Sequence, residues 1–511
     1  MKMKNIISLF VVLTLTTIFS CEDFLERPPY ALLSSDVFYS NPEKLLQGLT
    51  TAYNPLSFMQ FDLPLMTYGN MVTDDSEKGG SDINDIPDMY ALTRFRAVPT
   101  NSTSSDFWNT LYTGIYACNI ITQKAPELES QDPALVQRIA GEAKFLRGLY
   151  YFHLASVFGG VPLAITPLTP GELILERATA DEVWDQVEID FSEAAEVLPL
   201  KYPANNVGRA TSGAANSMLA KVYLMRQKYE LAETALAKVV SSNQYALIDD
   251  FGKIFTKPYE NGPESIFELQ HLNTNSGWIN ETEGTWIPLF CQSRKNGGYG
   301  FDLPTDDLRN EFEPGDPRLI YTITFNGDVF FGNDTIDNSE ASTPYHNQKV
   351  ALGTNERASS FNDQGYNIRF LRYADVLLLY AEVLNENGKP NEALIYLNQV
   401  RDRARATNPV DPRRVSQVIN ITVDLPPVTT TSKDELRLKI WHERRVELAM
   451  EYIRRFDLVR QKRYGQVMRA FAAKYNTDKG DNFNDDHHYL WPIPGNDIDM
   501  SNGKLVQNPG Y

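Results

Sequence analysis

Apolar side chains recur every three to four positions over several long stretches of this chain. Each such stretch predicts a helix with one face turned to a core. Asp106 to Thr122 carries Phe107, Trp108, Leu111, Ile115, Ala117 and Ile121 in that spacing. Pro133 to Phe158 reads as one long helix that stops at Gly159-Gly160, with Val161-Pro162 beyond. Asp181 to Leu198 follows Thr179, has Asp and Glu in its first turn, and halts at Pro199. Ser432 to Arg460 reads as another long helical stretch, opened by a Ser-Lys-Asp-Glu capping pattern.

Two further helical segments superpose on one another. Ala215 to Val240 and Ala374 to Val400 each carry an alanine (Ala220, Ala381) followed twelve residues later by a second (Ala232, Ala393). A leucine (Leu236, Leu397) and a valine (Val239, Val400) follow at matched positions. The polar breaks Gln227-Lys228 and Gly388-Lys389-Pro390 fall between the alanines. Small residues let two helices approach closely and the break supplies the turn, which is the spacing of a tetratricopeptide repeat. One such pair cannot bury its own face, so the helices are expected to stack as a solenoid-like half.

Between the helices the pattern lapses. Residues 60–105 and 256–370 are rich in Gly, Asn, Asp, Ser and Pro, with strand-like pieces at Ser265 to Gln270 and Leu319 to Phe325. Their aromatic content predicts ordered loops, and long ordered loops in a large domain are commonly functional. Residues 408–431 read as an extended insertion between helices.

The amino terminus adds location. Lys2 and Lys4 precede a largely apolar run, Ile6 to Phe19, then Ser20-Cys21 and the acids Glu22 and Asp23. This describes a secretory leader over residues 1–20, too short for a stable membrane span. The cysteine at the break resembles a bacterial lipobox, with Phe19 a departure from its usual small residues. Cys21 is therefore the expected lipidation site, and the acids after it resemble a signal for export to the cell surface. Losing the leader takes the formal net charge from −18 to −20, which excludes the basic footprint that nucleic acid needs. Beyond Cys21 there is no apolar run of membrane-spanning length, so a lipid would be the one membrane contact. Cys118 and Cys291 leave two readings open, a pair or two buried thiols.

In order and spacing, several segments resemble the SusD/RagB family of nutrient-uptake lipoproteins. They are Cys21 to Pro29, Phe107 to Asn119, Gly141 to Leu163, Gly298 to Arg318, Ile368 to Gly388, Trp441 to Arg460 and Leu490 to Tyr511. The resemblance implies a mostly α fold with four tetratricopeptide-like hairpins as scaffold and a loop-rich ligand-binding face. It implies one domain over 21–511, with an N-terminal part to about 230 and a C-terminal part from about 260. It also implies capture of polysaccharide or oligosaccharide and pairing with a SusC-like TonB-dependent transporter in the outer membrane, without a cofactor. The segment Thr67 to Asp82 matches one that borders the family's binding site, which makes Asn70, Asp74 and Asp75 candidate ligand contacts. Tyr299, in a Gly-Tyr-Gly turn, reads as structural.

Of the tryptophans, Trp108, Trp184, Trp441 and Trp491 read as packing. Trp278 and Trp286 lie among Asn, Thr, Gly and Glu. A flat ring in so polar a loop either fastens the loop to the scaffold or offers a stacking surface to the apolar face of a sugar. Signals for chemistry are sparse. There is no His-Glu-x-x-His, nucleophile elbow or phosphate loop, and His153 and His442 read as packed in helices. Asp485-Asp486-His487-His488 has metal-ligand residue types, but on an extended strand neighbours would point apart. Charges in Glu443 to Arg460 read as helix-face ion pairs and tail contacts rather than catalytic groups, and the Pro-containing C-terminal end as a docked tail. The expectation is a binding protein without catalytic or metal residues. A surface glycosidase, or a binder of peptide or another nutrient, is the alternative.

Overall fold

The computed structural model describes residues 38–511, apart from 170, 173, 274–282, 331–333, 340, 354–355, 359–362 and 416–420. Cys21 and Trp278 lie outside the described residues.

The helices Ser102–Leu128, Pro133–Phe158, Ala180–Val197, Ser212–Met225, Tyr229–Ser241, Tyr373–Glu386 and Pro390–Ala406 form a row in which each packs on the next. Pro42–Tyr53 lies against the first two. In both matched hairpins the spaced alanines are fully buried, so the helices meet backbone to backbone. The turns are the same. Lys228 N–H donates to the Tyr223 carbonyl and Lys389 N–H to the Leu384 carbonyl, each at 2.8 Å. The residue before each lysine is left-handed, Gly388 at φ +78° and Gln227 at φ +56°. Glycine takes that conformation freely, whereas glutamine does so at a cost.

The long Pro133–Phe158 helix is capped by Asp132 and ends on Gly159 at φ +75°, and almost every side chain from Gly141 on is buried. Ser102–Leu128 extends beyond its periodic segment at both ends, and Asn101 caps its start five residues before Asp106. Thr179 and Glu182 form the complete capping box at Ala180–Val197. The Ser432 pattern does not: its side chain makes no capping bond, and Thr430 donates to Glu435 instead, at 2.7 Å.

The Ser432 to Arg460 stretch is two helices, Lys433–Glu447 and Arg454–Arg460. Met450 and Tyr452, both at φ +64°, bend the chain between them. The bend admits a second backbone. Tyr452 N–H donates to Asn70 Oδ1 at 3.1 Å, and a Cβ on Gly69 would stand 2.5 Å from the Tyr452 carbonyl oxygen. The loop-rich expectation for 60–105 is also corrected. Met59–Met66 and Pro87–Thr93 are helices, and Thr67–Met71 is a π turn. Met59–Met66 contains Pro64 and buries Phe61, Asp62, Leu65 and Met66. Covered on so much of its surface, it shows no polar stripe for periodicity to detect.

Strands are short. Ser265–Leu269 pairs antiparallel with Ile368–Arg372, and Ser76–Gly79 with Phe301–Pro304, Glu77 facing Leu303. Leu319 to Phe325 is strand only from Ile323, because Leu319–Thr322 is a helical turn. The C-terminal tail is docked. Trp491 N–H donates to the Val157 carbonyl at 2.8 Å, and Asn508 Nδ2 to the Phe158 and Trp491 carbonyls. The main hydrophobic cluster accordingly draws on residues from Leu45 to Leu505. Cys118 and Cys291 are buried free thiols, and burial pushes the pKa of both up.

Candidate functional site

Trp286 sits at the start of the Ile287–Cys291 helix, on a backbone fixed from two sides. Thr285 exchanges main-chain hydrogen bonds with Gln364. Asp62, from the Met59–Met66 helix, accepts from Thr285 Oγ1 at 2.6 Å and from Trp286 N–H at 3.3 Å, both on Oδ2. Asp62 is fully buried, and burial raises its pKa to about 7 although these two bonds pull the other way.

The half-buried Trp286 ring stacks on Phe290, centroids 5.6 Å apart. Phe290 meets Tyr299 edge-on at 5.7 Å, and Tyr299 lies parallel to Phe301 at 6.1 Å. Four rings thus form one aromatic run. Its far end is locked by tight backbone: Gly80 N–H donates to the Gly300 carbonyl at 2.7 Å, and a Cβ on Gly79 would meet that oxygen at 2.0 Å. Tyr299 is structural to this extent, although its ring is partly open. The arrangement offers flat apolar surface on a rigid frame, the requirement for stacking on a sugar ring.

The other described candidates face inward. Asn70 is fully buried and spends its amide on Asp302 (3.2 Å) and Tyr452. Asp74 binds Arg454 at 2.7 Å and Arg445 at 2.9 Å, while Asp75 binds Arg445 at 2.7 Å. Burial would raise the Asp74 pKa, but Arg445 and Arg454 hold it well below the usual carboxylate range. These three residues fasten the Thr67 to Asp82 segment to the C-terminal helices, with the carboxylates of Asp74 and Asp75 engaged by arginines, because isolated buried charges must be paired. Lys78 is likewise buried and donates to the Asp82 carbonyl at 2.9 Å.

The charges of Glu443 to Arg460 do form ion pairs, mostly with other segments. Glu447 gathers Arg318, Arg372 and Arg403, Glu443 binds Arg318 and Arg401, and Arg460 binds Glu382. Arg455 reaches the Tyr489 carbonyl of the tail. Among the described residues no group of three or more His, Cys, Asp or Glu could hold a metal ion. His487 and His488 do not point apart: their chain turns, and the rings stack at 4.1 Å.

Among the described residues two pockets stand out as large enough for a small ligand. One, of about 390 Å³, is lined by Tyr202, Arg209, Tyr245, Asn261 and Glu268, and by none of the predicted contacts. The other, of about 360 Å³, is lined by Asp74 together with Trp441 and His442. Both of the latter were expected to be packed, yet each is half-open. A helical period marks which face turns inward but not whether a neighbour covers the flank, so no sequence signal separates them from core positions.

Comparison with known proteins identifies the class of molecule that carries this fold. The SusD family matches residues 263–511, and a family described as "Starch-binding associating with outer membrane" matches residues 23–224. The chain belongs to the SusD/RagB family. A SusD-like protein of Formosa agariphila is 29% identical over 548 residues, spanning the whole of both chains. Among solved structures, a laminarin binding SusD-like protein is 26% identical, with a TM-score of 0.75, covering 92% of this chain and 100% of its own. Surface glycan-binding protein A from Bacteroides fluxus is 25% identical, with a TM-score of 0.76, covering 92% and 99%. The mostly α, hairpin-built architecture is the SusD-like fold. Among the described residues no helix is long and apolar enough to cross a membrane.

Proposed function

We propose that this protein binds oligosaccharide or polysaccharide at the aromatic face around Trp286 and passes it to a SusC-like TonB-dependent transporter. It does so as one domain over residues 21–511, held to the outer membrane by lipid on Cys21 and facing the cell exterior. The observation that carries the reading is Trp286 itself, a half-open ring on a backbone fixed by Asp62 and, through Thr285, by Gln364. Trp278, eight positions earlier in the same polar stretch of sequence, is proposed as a second contact. The laminarin and glycan for which two similar solved structures are named support a sugar. The description "associating with outer membrane" supports the location. The role proposed is capture without hydrolysis.

Affinity electrophoresis through gels containing laminarin, starch or a plant glycan tests this directly. Retardation in at least one gel, with no release of reducing ends, is the expected result. No retardation in any gel favours peptide or another nutrient, and release of reducing ends favours a glycosidase.

A further inference from the structure

The 360 Å³ pocket lies between the Lys433–Glu447 and Tyr464–Tyr475 helices. One wall is apolar, made by Leu438, Trp441, Val467 and Phe471, and Leu438 is 59% exposed at its rim. The other wall is charged, and each of its acids is already engaged. Asp74 is held by Arg445 and Arg454, Asp307 by Arg445 and Lys474, and Glu311 by Arg445 and His442. Burial would lower the His442 pKa, but hydrogen bonds to Glu311 and Glu313 hold it at about 9, so it is a cation at neutral pH.

Arg463 stands apart from these groups. Its Nε donates to Gln461 Oε1 at 2.7 Å, and its guanidinium carbon lies 4.8 Å from the centre of the Trp441 ring. Among the described residues it makes no ion pair within 4.0 Å. The acids nearest in effect, Asp74 and Asp457, are bound by other arginines. Burial and the neighbouring Arg454 push its pKa down to about 10, the mark of a cation short of negative charge. Its terminal nitrogens keep the fork that matches a carboxylate, beside the Trp441 ring.

We propose that this pocket binds an acidic sugar, with the carboxylate of a uronate on the Arg463 fork and the ring's C–H face against the apolar wall. A single uncompensated cation ringed by engaged carboxylates suits a monoanion, because Asp74, Asp307 and Glu311 repel a second negative charge. The pocket shares no residue with the aromatic run of Trp286, so the two sites stand or fall separately.

The test is a ligand-observed NMR titration of the full chain at low ionic strength with sodium glucuronate, with glucose as the neutral counterpart and sodium sulfate as the dianion. Glucuronate is expected to bind at least tenfold more tightly than glucose and to weaken as salt is added. Arg463→Gln is expected to reduce its affinity at least tenfold with an unchanged melting temperature. Leu438→Glu, on the exposed rim, places a like charge at the mouth and is expected to do the same, which keeps the test alive if the arginine variant folds poorly. Equal binding of glucuronate and glucose overturns the proposal. So does binding of sulfate but not glucuronate, or undiminished glucuronate affinity in both variants.

Discussion

Asp62 Oδ2 accepts the main-chain N–H of Trp286 at 3.3 Å and the hydroxyl of Thr285 at 2.6 Å. A buried carboxyl thus sets the backbone from which the half-open ring projects. Its other oxygen has no partner among the described residues, which is consistent with a carboxyl that carries a proton to about pH 7.

The proton makes Asp62 a source of pH dependence. The folded state holds it up to about pH 7, whereas the unfolded chain releases it near 3.8. The stabilisation is therefore fully present below pH 3.8 and is lost as pH rises through 7. Urea denaturation at pH 5 and pH 8 should show wild type losing about 2–3 kcal/mol relative to Asp62→Asn across that interval. Parallel pH profiles for the two proteins would show that Asp62 ionises normally.

Trp286→Ala should weaken glycan binding by about 1–2 kcal/mol, roughly 5- to 30-fold, with a modest change in melting temperature. Trp108 is the control. It is 3% exposed and packs edge-on against Phe158 at 5.1 Å, so Trp108→Ala should cost about 3–5 kcal/mol of stability. Calorimetry on the retained polysaccharide, with thermal melts alongside, separates the two effects. A Trp286 variant that binds normally would move the site elsewhere.

Asp74→Ala should destabilise the fold by about 3–5 kcal/mol, because it removes the close partner of the buried Arg454 and leaves that guanidinium only Asp75, at 3.6 Å. Chemical denaturation reads this. Normal stability combined with weakened glycan binding would instead return Asp74 to the ligand site.

Gln227→Gly should stabilise the protein by about 0.5–1 kcal/mol, since glycine adopts the left-handed turn without the side-chain penalty. Gly388→Ala, at the matched turn, should lower stability by a similar amount. The thermal midpoints of the two variants should therefore move in opposite directions.

Cys21→Ala should leave the protein out of the membrane fraction. Stable anchoring needs more than one acyl chain, which a diacylglycerol thioether would supply. Cell fractionation with a fatty-acid analogue checks it, and a wild type that takes up no label would refute the lipid assignment.

The hairpins were legible because their determinants are local. Ala220 lies within one repeat of Ala232, as Ala381 does of Ala393, and the helical period converts spacing directly into a shared face. The docked tail was legible for a similar reason, since prolines and a tryptophan in "LWPIP" leave few alternatives to packing. The roles of Asn70, Asp74 and Asp75 were not. Read alone, "NMVTDD" is a polar surface loop. Its burial depends on Arg445, Arg454 and the Tyr452 backbone, which join it from far along the chain, and no local pattern records that meeting. Trp441 failed for the opposite reason: its helix was found, but the uncovered flank was not.

The clamp between Asp74, Asp75 and the arginines of the C-terminal helices also sets an order of events. Loop closure across so long a stretch of chain is slow, and non-local contacts of this kind form late. A nascent chain that ends before Arg445 holds both aspartates without their counter-charges, so the segment carrying them has no reason to settle. The helical row can form largely from neighbouring pairs, but the clamp on Asp74 and Asp75 draws on residues some 370 to 380 positions away. The row thus rests largely on neighbours in sequence, whereas the Thr67 to Asp82 segment finds its counter-charges only once Arg445 and Arg454 have been made.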